Sequence, residues 1–118
     1  MVKMQIIGHL GKDAQVSNVN GKTVINFSVA HTESYKDSQV KKTTWVDCSW
    51  WTDKTAIATY LKKGTLVFVE GQPNVRSYTS QSNQVGAVLT SRVTYVQLLS
   101  SKNNEQKESD LIEEENPF

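Results

Sequence analysis

Four aromatic side chains set the chemistry open to this chain: Tyr35, Trp45, Trp51 and Tyr78. The stretch Trp45-Val46-Asp47-Cys48-Ser49-Trp50-Trp51 reads as a strand, and a strand sends alternate side chains to opposite faces. Trp45, Asp47, Ser49 and Trp51 therefore share one face, and Val46, Cys48 and Trp50 the other. Aspartate and serine are poor core residues, so the first face is wet and two indoles stand on it. Tyr35 and Tyr78 lie in polar, basic segments, Ser34-Tyr35-Lys36 and Arg76-Ser77-Tyr78. Exposed rings of this kind stack on any nucleobase, because every base has a π-face, while Lys and Arg follow the phosphates. The candidate cations are Lys3, Lys36, Lys63 and Arg76, with Lys41, Lys42, Lys62 and Arg92 beside them.

Catalytic chemistry finds little support. The chain has no P-loop, no nucleophile elbow and no His-Glu-x-x-His spacing. His9 and His31 fall in separate strands with no carboxylate partner in evident reach. Cys48 is the single cysteine, which leaves no intrachain disulfide and no multi-cysteine metal site. It shares a face with Val46 and Trp50 and reads as a small buried hydrophobe. No enzyme activity, metal or cofactor is expected.

Composition agrees with one folded domain. Of 118 residues, 37% are hydrophobic and 21% charged, and no apolar run is long enough to span a membrane. The first residues carry no long apolar stretch before a small-residue cleavage site, so no secretory leader is expected and the cytosol is the expected compartment. The net charge of +1 hides a division. Residues 1–100 hold eleven Lys/Arg against six Asp/Glu, a net of +5; residues 101–118 hold two against six, a net of −4. A mildly basic body of 1–100 with an acidic, disordered tail of 101–118 is expected.

The elements that must hold the aromatic face are mostly strands. Val2 to Leu10 is strand-rich. Asn20-Gly21 lies between two apolar stretches and signals a hairpin turn. Val24 to Thr32 alternates, with Ile25, Phe27, Val29 and His31 on one side and Asn26, Ser28 and Ala30 on the other. Trp45 to Trp51 follows a long polar arm. A helix is expected next, capped by Thr52 or Asp53, with Ala56, Ile57, Tyr60 and Leu61 as its stripe, Lys62 and Lys63 at its end and Gly64 as the stop. Leu66 to Gly71, Val75 to Tyr78 and Val85 to Leu99 complete the set, with Pro73 marking an edge or bulge. The order β-β-β-α-β-β fits an all-β, five-stranded Greek-key barrel of the oligonucleotide/oligosaccharide-binding (OB) type, with one short helix after strand three and long hairpin arms. A generic β-barrel or a small α+β sandwich fits the same order. On the residues alone, a protein-interaction barrel and a small enzyme on the same platform stand as rivals to a strand-binding domain.

The residues also resemble a family, the bacterial single-stranded DNA-binding proteins. The likeness runs through Gly8-His9-Leu10-Gly11-Lys12-Asp13, Phe27-Ser28-Val29-Ala30-His31-Thr32-Glu33-Ser34-Tyr35, Thr44-Trp45 and Tyr60-Leu61-Lys62-Lys63-Gly64-Thr65-Leu66-Val67-Phe68-Val69-Glu70-Gly71. It continues in the acidic tip closed by Pro117-Phe118. The resemblance implies stacking positions at Trp45, Trp51, Tyr35 and Tyr78, basic positions at Lys63 and Arg76, and a homotetramer around which the strand wraps. It implies that Asp110, Glu113, Glu114, Glu115, Pro117 and Phe118 dock replication and repair enzymes. The body would coat single-stranded DNA, with little sequence preference, in replication, recombination and repair at the nucleoid. Three positions depart from the family pattern: Asp47 stands where a basic residue is usual, Val46 where a histidine is associated with subunit contact, and Asn116 where an apolar residue precedes Pro-Phe.

Overall fold

Alternation along the third strand dictates the architecture. Ile25, Phe27 and Val29 are all buried, and a sheet with one apolar face must cover it. The chain does so by closing the sheet on itself. The computed structural model describes residues 1–34 and 41–100. Six strands run in order: β1 Met4–Leu10, β2 Gln15–Val19, β3 Lys22–Ser34, β4 Lys41–Trp51, β5 Leu66–Thr79 and β6 Val85–Ser100. Their lateral order is β1-β5-β6-β4-β3-β2, and β1 also pairs with β3 through His9 opposite Ala30 and Leu10 opposite Val29. That last pairing closes the ring.

Strands β1 and β2 act as two halves of one bent stave. The first half pairs with β5, the second with β3, and the chain bends between them at residues 11–14. Counted so, the barrel has the five staves expected from the sequence, and it is of the OB type. The Asn20-Gly21 turn forms as expected, with φ of 52° and 79°, between Val19 and Lys22. All but one of the neighbouring pairings are antiparallel; β4 meets β6 parallel through Asp47–Thr90, Cys48–Ser91 and Ser49–Arg92.

The interior holds Leu10, Ile25, Phe27, Val29, Val46, Cys48, Leu61, Val67, Val69, Val93 and Val96. Every wall strand except β2 contributes, and β3, β4 and β5 do so through residues two apart. Burial pushes the Cys48 thiol up to about 12, with the neighbouring Asp47 charge a smaller contribution in the same direction. A thiol held in its neutral form packs as a hydrophobe. That preference favours the folded state below about pH 9 and is lost as the pH climbs toward about 12.

Two local expectations give way to tertiary demands. The helix expected from Thr52 to Gly64 is a single 3-10 segment, Thr55–Tyr60, without a side-chain cap. Thr55 and Thr59, with Ile57, are β-branched and weaken an α-helix. The segment's task is to deliver Leu61, which is wholly buried. Tyr60, expected in the apolar stripe, stays exposed. Lys62 and Lys63 do not cap a helix end; the Lys63 backbone N–H donates to Asp13 Oδ1 at 2.8 Å, and the Lys62 ammonium lies 3.9 Å from Asp13. The second difference is that Leu66 to Gly71 and Val75 to Tyr78 form one strand, β5, although Pro73 does mark an edge as expected. The pairing of β5 with β1 ends at Gly71, so Pro73 falls where β5 has β6 on one side only and a missing N–H costs little.

Candidate nucleic-acid interface

The outer face of β4 carries the residues expected there. Val46 and Cys48 are buried, which turns Trp45, Asp47, Ser49 and Trp51 outward. Trp45 is 53% exposed and Trp51 40%. Trp50 points the other way and packs against the core in part. Across β3, Ala30 stands opposite Trp45, Ser28 opposite Asp47 and Asn26 opposite Ser49. Trp45 thus has a small neighbour, whereas Trp51 stands opposite Val24, which is buried.

Two rings, those of Trp45 and Tyr78, lie close against glycine. A methyl group added to Gly11 would lie 2.6 Å from the six-membered ring of Trp45, so the indole covers bare backbone. Tyr78, half exposed on the β5–β6 arm, repeats the arrangement: it faces Gly86 across the pair, and a Cβ there would meet the phenol ring at 2.4 Å. In both cases the ring occupies space that any side chain larger than glycine would fill, while the residue stays about half exposed. A ring held this way loses little further freedom when a ligand stacks on it.

Parallel pairing of β4 with β6 brings the β5–β6 arm beside this face. Two grooves result. The larger, about 590 Å³, is lined by Trp51, Asn74, Arg76, Arg92 and the buried Ser91 among others. The smaller, about 190 Å³, is lined by Lys12, Gln15, Asn26, Ser28 and Ser49. Asp47 and Arg76 border both. Arg76 Nη2 donates to Asp47 Oδ2 at 3.2 Å, and the Ser28 hydroxyl donates to Oδ1 at 3.0 Å. The guanidinium is 64% exposed, so the pair is solvent-screened and contributes little to stability.

The remaining sequence-derived positions are distributed unevenly. Arg76 and Tyr78 share one face of the arm with Asn74, by the period of two. Lys3 lines neither groove; its ammonium lies 3.8 Å from Glu70, which also accepts from Gln5. Lys63 lines neither groove and is tied to Asp13 through its backbone. Tyr35, Lys36 and the tip residues Asp110, Glu113, Glu114, Glu115, Pro117 and Phe118 lie outside the described residues. Lys12, Gln15 and Asn26 are groove residues that the sequence reading did not single out. Only the bend between β1 and β2 brings the first two to β3; Gly11, a glycine that signals a bend, lies in it, but does not say which residues the bend gathers. Val46 is in the barrel core and offers no surface to another subunit. Among the described residues no group of three or more His, Cys, Asp or Glu is placed to hold a metal ion, and no helix is long and apolar enough to cross a membrane.

Comparison with known proteins places this geometry. A family model described as "Single-strand binding protein family" matches residues 1–99. A single-stranded DNA-binding protein of Neisseria meningitidis is 41% identical over 81 residues, covering 64% of this chain and 47% of the relative. One from Chlorobaculum tepidum is 33% identical over 108 residues, covering 86% of this chain and 67% of the relative. This chain thus spans about half the length of the Neisseria relative. A solved Plasmodium falciparum single-strand binding protein in complex with single-stranded DNA superposes with a TM-score of 0.69 at 25% identity, covering 85% of this chain and 96% of that one.

The glycine seat yields a direct expectation. Gly11→Ala forces the Trp45 ring off its platform, because the new methyl occupies the ring's position. The near-ultraviolet circular dichroism and emission of Trp45 should change while the far-ultraviolet spectrum is retained. Identical near-ultraviolet spectra would contradict the seating.

Proposed function

This chain belongs to the single-strand binding protein family, and from that premise we propose that it binds and coats single-stranded DNA without strong sequence specificity. The observation that carries the reading is the pair of exposed indoles on β4 beside two grooves bordered by Arg76, Lys12 and Arg92. Bases stack on Trp45, Trp51 and Tyr78, with Tyr35 as a further ring on the β3–β4 arm. Phosphates run past the cations, and counterion release supplies salt-dependent affinity. Stacking on such rings contributes ~1–3 kcal/mol per base, a magnitude known from strand-binding proteins of this kind. No bond is made or broken, so the protein acts as a binder and not as an enzyme.

The reading extends to assembly and partners. Ile7 and Tyr95 are about half exposed on the outer face of β1, β5 and β6, and Phe68 stands between them, edge-on to Tyr95 at 6.0 Å. This apolar group supports subunit contact, and a homotetramer is the assembly we assign. The acidic tip, ending in Pro117-Phe118, recruits replication, recombination and repair enzymes through charge and one terminal aromatic plug. The same tip competes weakly with DNA for the basic body. The site of action is the cytosol, at the nucleoid.

Four measurements test these statements. Titration with an unstructured oligonucleotide should quench tryptophan emission, and duplex DNA should do so far less. Trp45→Ala and Trp51→Ala should each weaken strand binding by ~1–3 kcal/mol, and Trp50→Phe by much less; equal affinities for all three variants would refute the face assignment. Tyr95→Glu should lower the solution mass toward that of a single chain, and an unchanged mass would remove this patch from the interface. Deleting residues 110–118 should tighten binding at low salt and have little effect at high salt, where charges are screened. Equal affinity at low salt would end the competitor role.

A further inference from the structure

The carboxylate of Asp47 stands in the middle of the stacking face, where phosphate attraction alone would exclude it. It is two positions from Trp45 and four from Trp51, on the same side of β4. It borders both grooves. Both of its oxygens already accept a hydrogen bond, Oδ1 from Ser28 and Oδ2 from Arg76. Those donors orient it in this structure and leave each oxygen a second lone pair. The side chain is 43% exposed, so the remaining acceptor sites open onto the face. Arg76 offsets the charge, which lowers the cost of a carboxylate near a polyanion.

Around it Lys12, Arg76 and the amides of Gln15 and Asn26 bring donors to the small groove, while Ser28 and Ser49 have already donated to Asp47 and Asn26. Ser49 Oγ donates to Asn26 Oδ1 at 3.3 Å, which leaves the Asn26 amide nitrogen to face other partners. Lys12 and Gln15 line the same groove. An acceptor-only group among donors is a pattern that reads the edge of a base and does not merely hold its face.

We propose that Asp47 is a base-discriminating residue of the β4 platform, favouring bases that carry an exocyclic amino group over thymine. Its carboxylate accepts from the N4 amino group of cytosine, as carboxylates do in base-edge recognition. Thymine presents O4 in the same place, an acceptor against an acceptor, and has only its ring N3–H to offer a carboxylate. Stacking supplies most of the affinity and is indifferent to the base. Asp47 superimposes a moderate preference on it. This inference rests on the strand-binding reading above.

The test compares affinities of the full chain and Asp47→Asn for oligo-dC, oligo-dT and oligo-dU of one length, at one salt concentration, by tryptophan quenching. Asparagine is the same size and keeps an acceptor for Ser28, but its amide nitrogen can donate to thymine O4. Loss of the carboxylate strengthens binding to every oligonucleotide by removing repulsion, so the quantity read is the ratio of dC to dT affinity. That ratio should fall on the order of five-fold in Asp47→Asn, the size of one charge-assisted hydrogen bond partly offset by water. Oligo-dU should track oligo-dT, since the two share O4 and differ only in the methyl group. Asp47→Ser, which retains no charge and reaches less far, should lower the ratio as well and guards against a folding defect of one variant. An unchanged ratio in both variants, with all oligonucleotides still bound, overturns the proposal and leaves the strand-binding reading intact. Absence of quenching by any oligonucleotide with the unaltered chain overturns both.

Discussion

The binding face depends on the burial of two small side chains. Val46 and Cys48 fill the barrel interior from β4, and the pleat then has no choice but to turn Trp45, Asp47, Ser49 and Trp51 to solvent. A slip of one residue would exchange the two sets, sending indoles inward and the thiol outward. Eleven register pairs with β3 and three with β6 hold against that slip. The exposure of large apolar rings is thus a consequence of core packing elsewhere, and it costs nothing in register because the opposite face satisfies the strand.

Positioning of those rings follows a second rule, the use of absent side chains. Trp45 lies on Gly11 and Tyr78 on Gly86, in two different parts of the barrel. A ring packed against bare backbone keeps dispersion contact there while part of it stays exposed. The electrostatics are looser by comparison. Arg76 is held by Asp47, yet both are exposed, so the pair exchanges partners at little cost. The face combines exposed aromatic rings with a polar pair that solvent screens.

Much of this was legible in the residues. The alternation from Ile25 to Val29 and from Trp45 to Trp51 fixed inside and outside, and Asn20-Gly21 marked its turn. Other features were not. The 3-10 segment bears a helical stripe, but its role in the barrel is to bring Leu61 into the interior, and one turn suffices for that. Pro73 signals a break in any isolated strand; only the end of the β1 pairing at Gly71 makes an unbroken β5 permissible. Lys12, Gln15 and Asn26 are ordinary polar residues until the bend between β1 and β2 gathers them into one groove.

The chain by itself determined the strand pattern, the identity of the exposed rings and the division of charge between body and tail, because each is a property of neighbours in sequence. Tertiary structure alone decided which polar groups stand beside those rings. The parallel approach of β6 to β4 joins residues some forty positions apart, and with it comes the meeting of Arg76 and Asp47. Local periodicity carries no information about such closure; it is set by how five twisted staves fill one apolar interior.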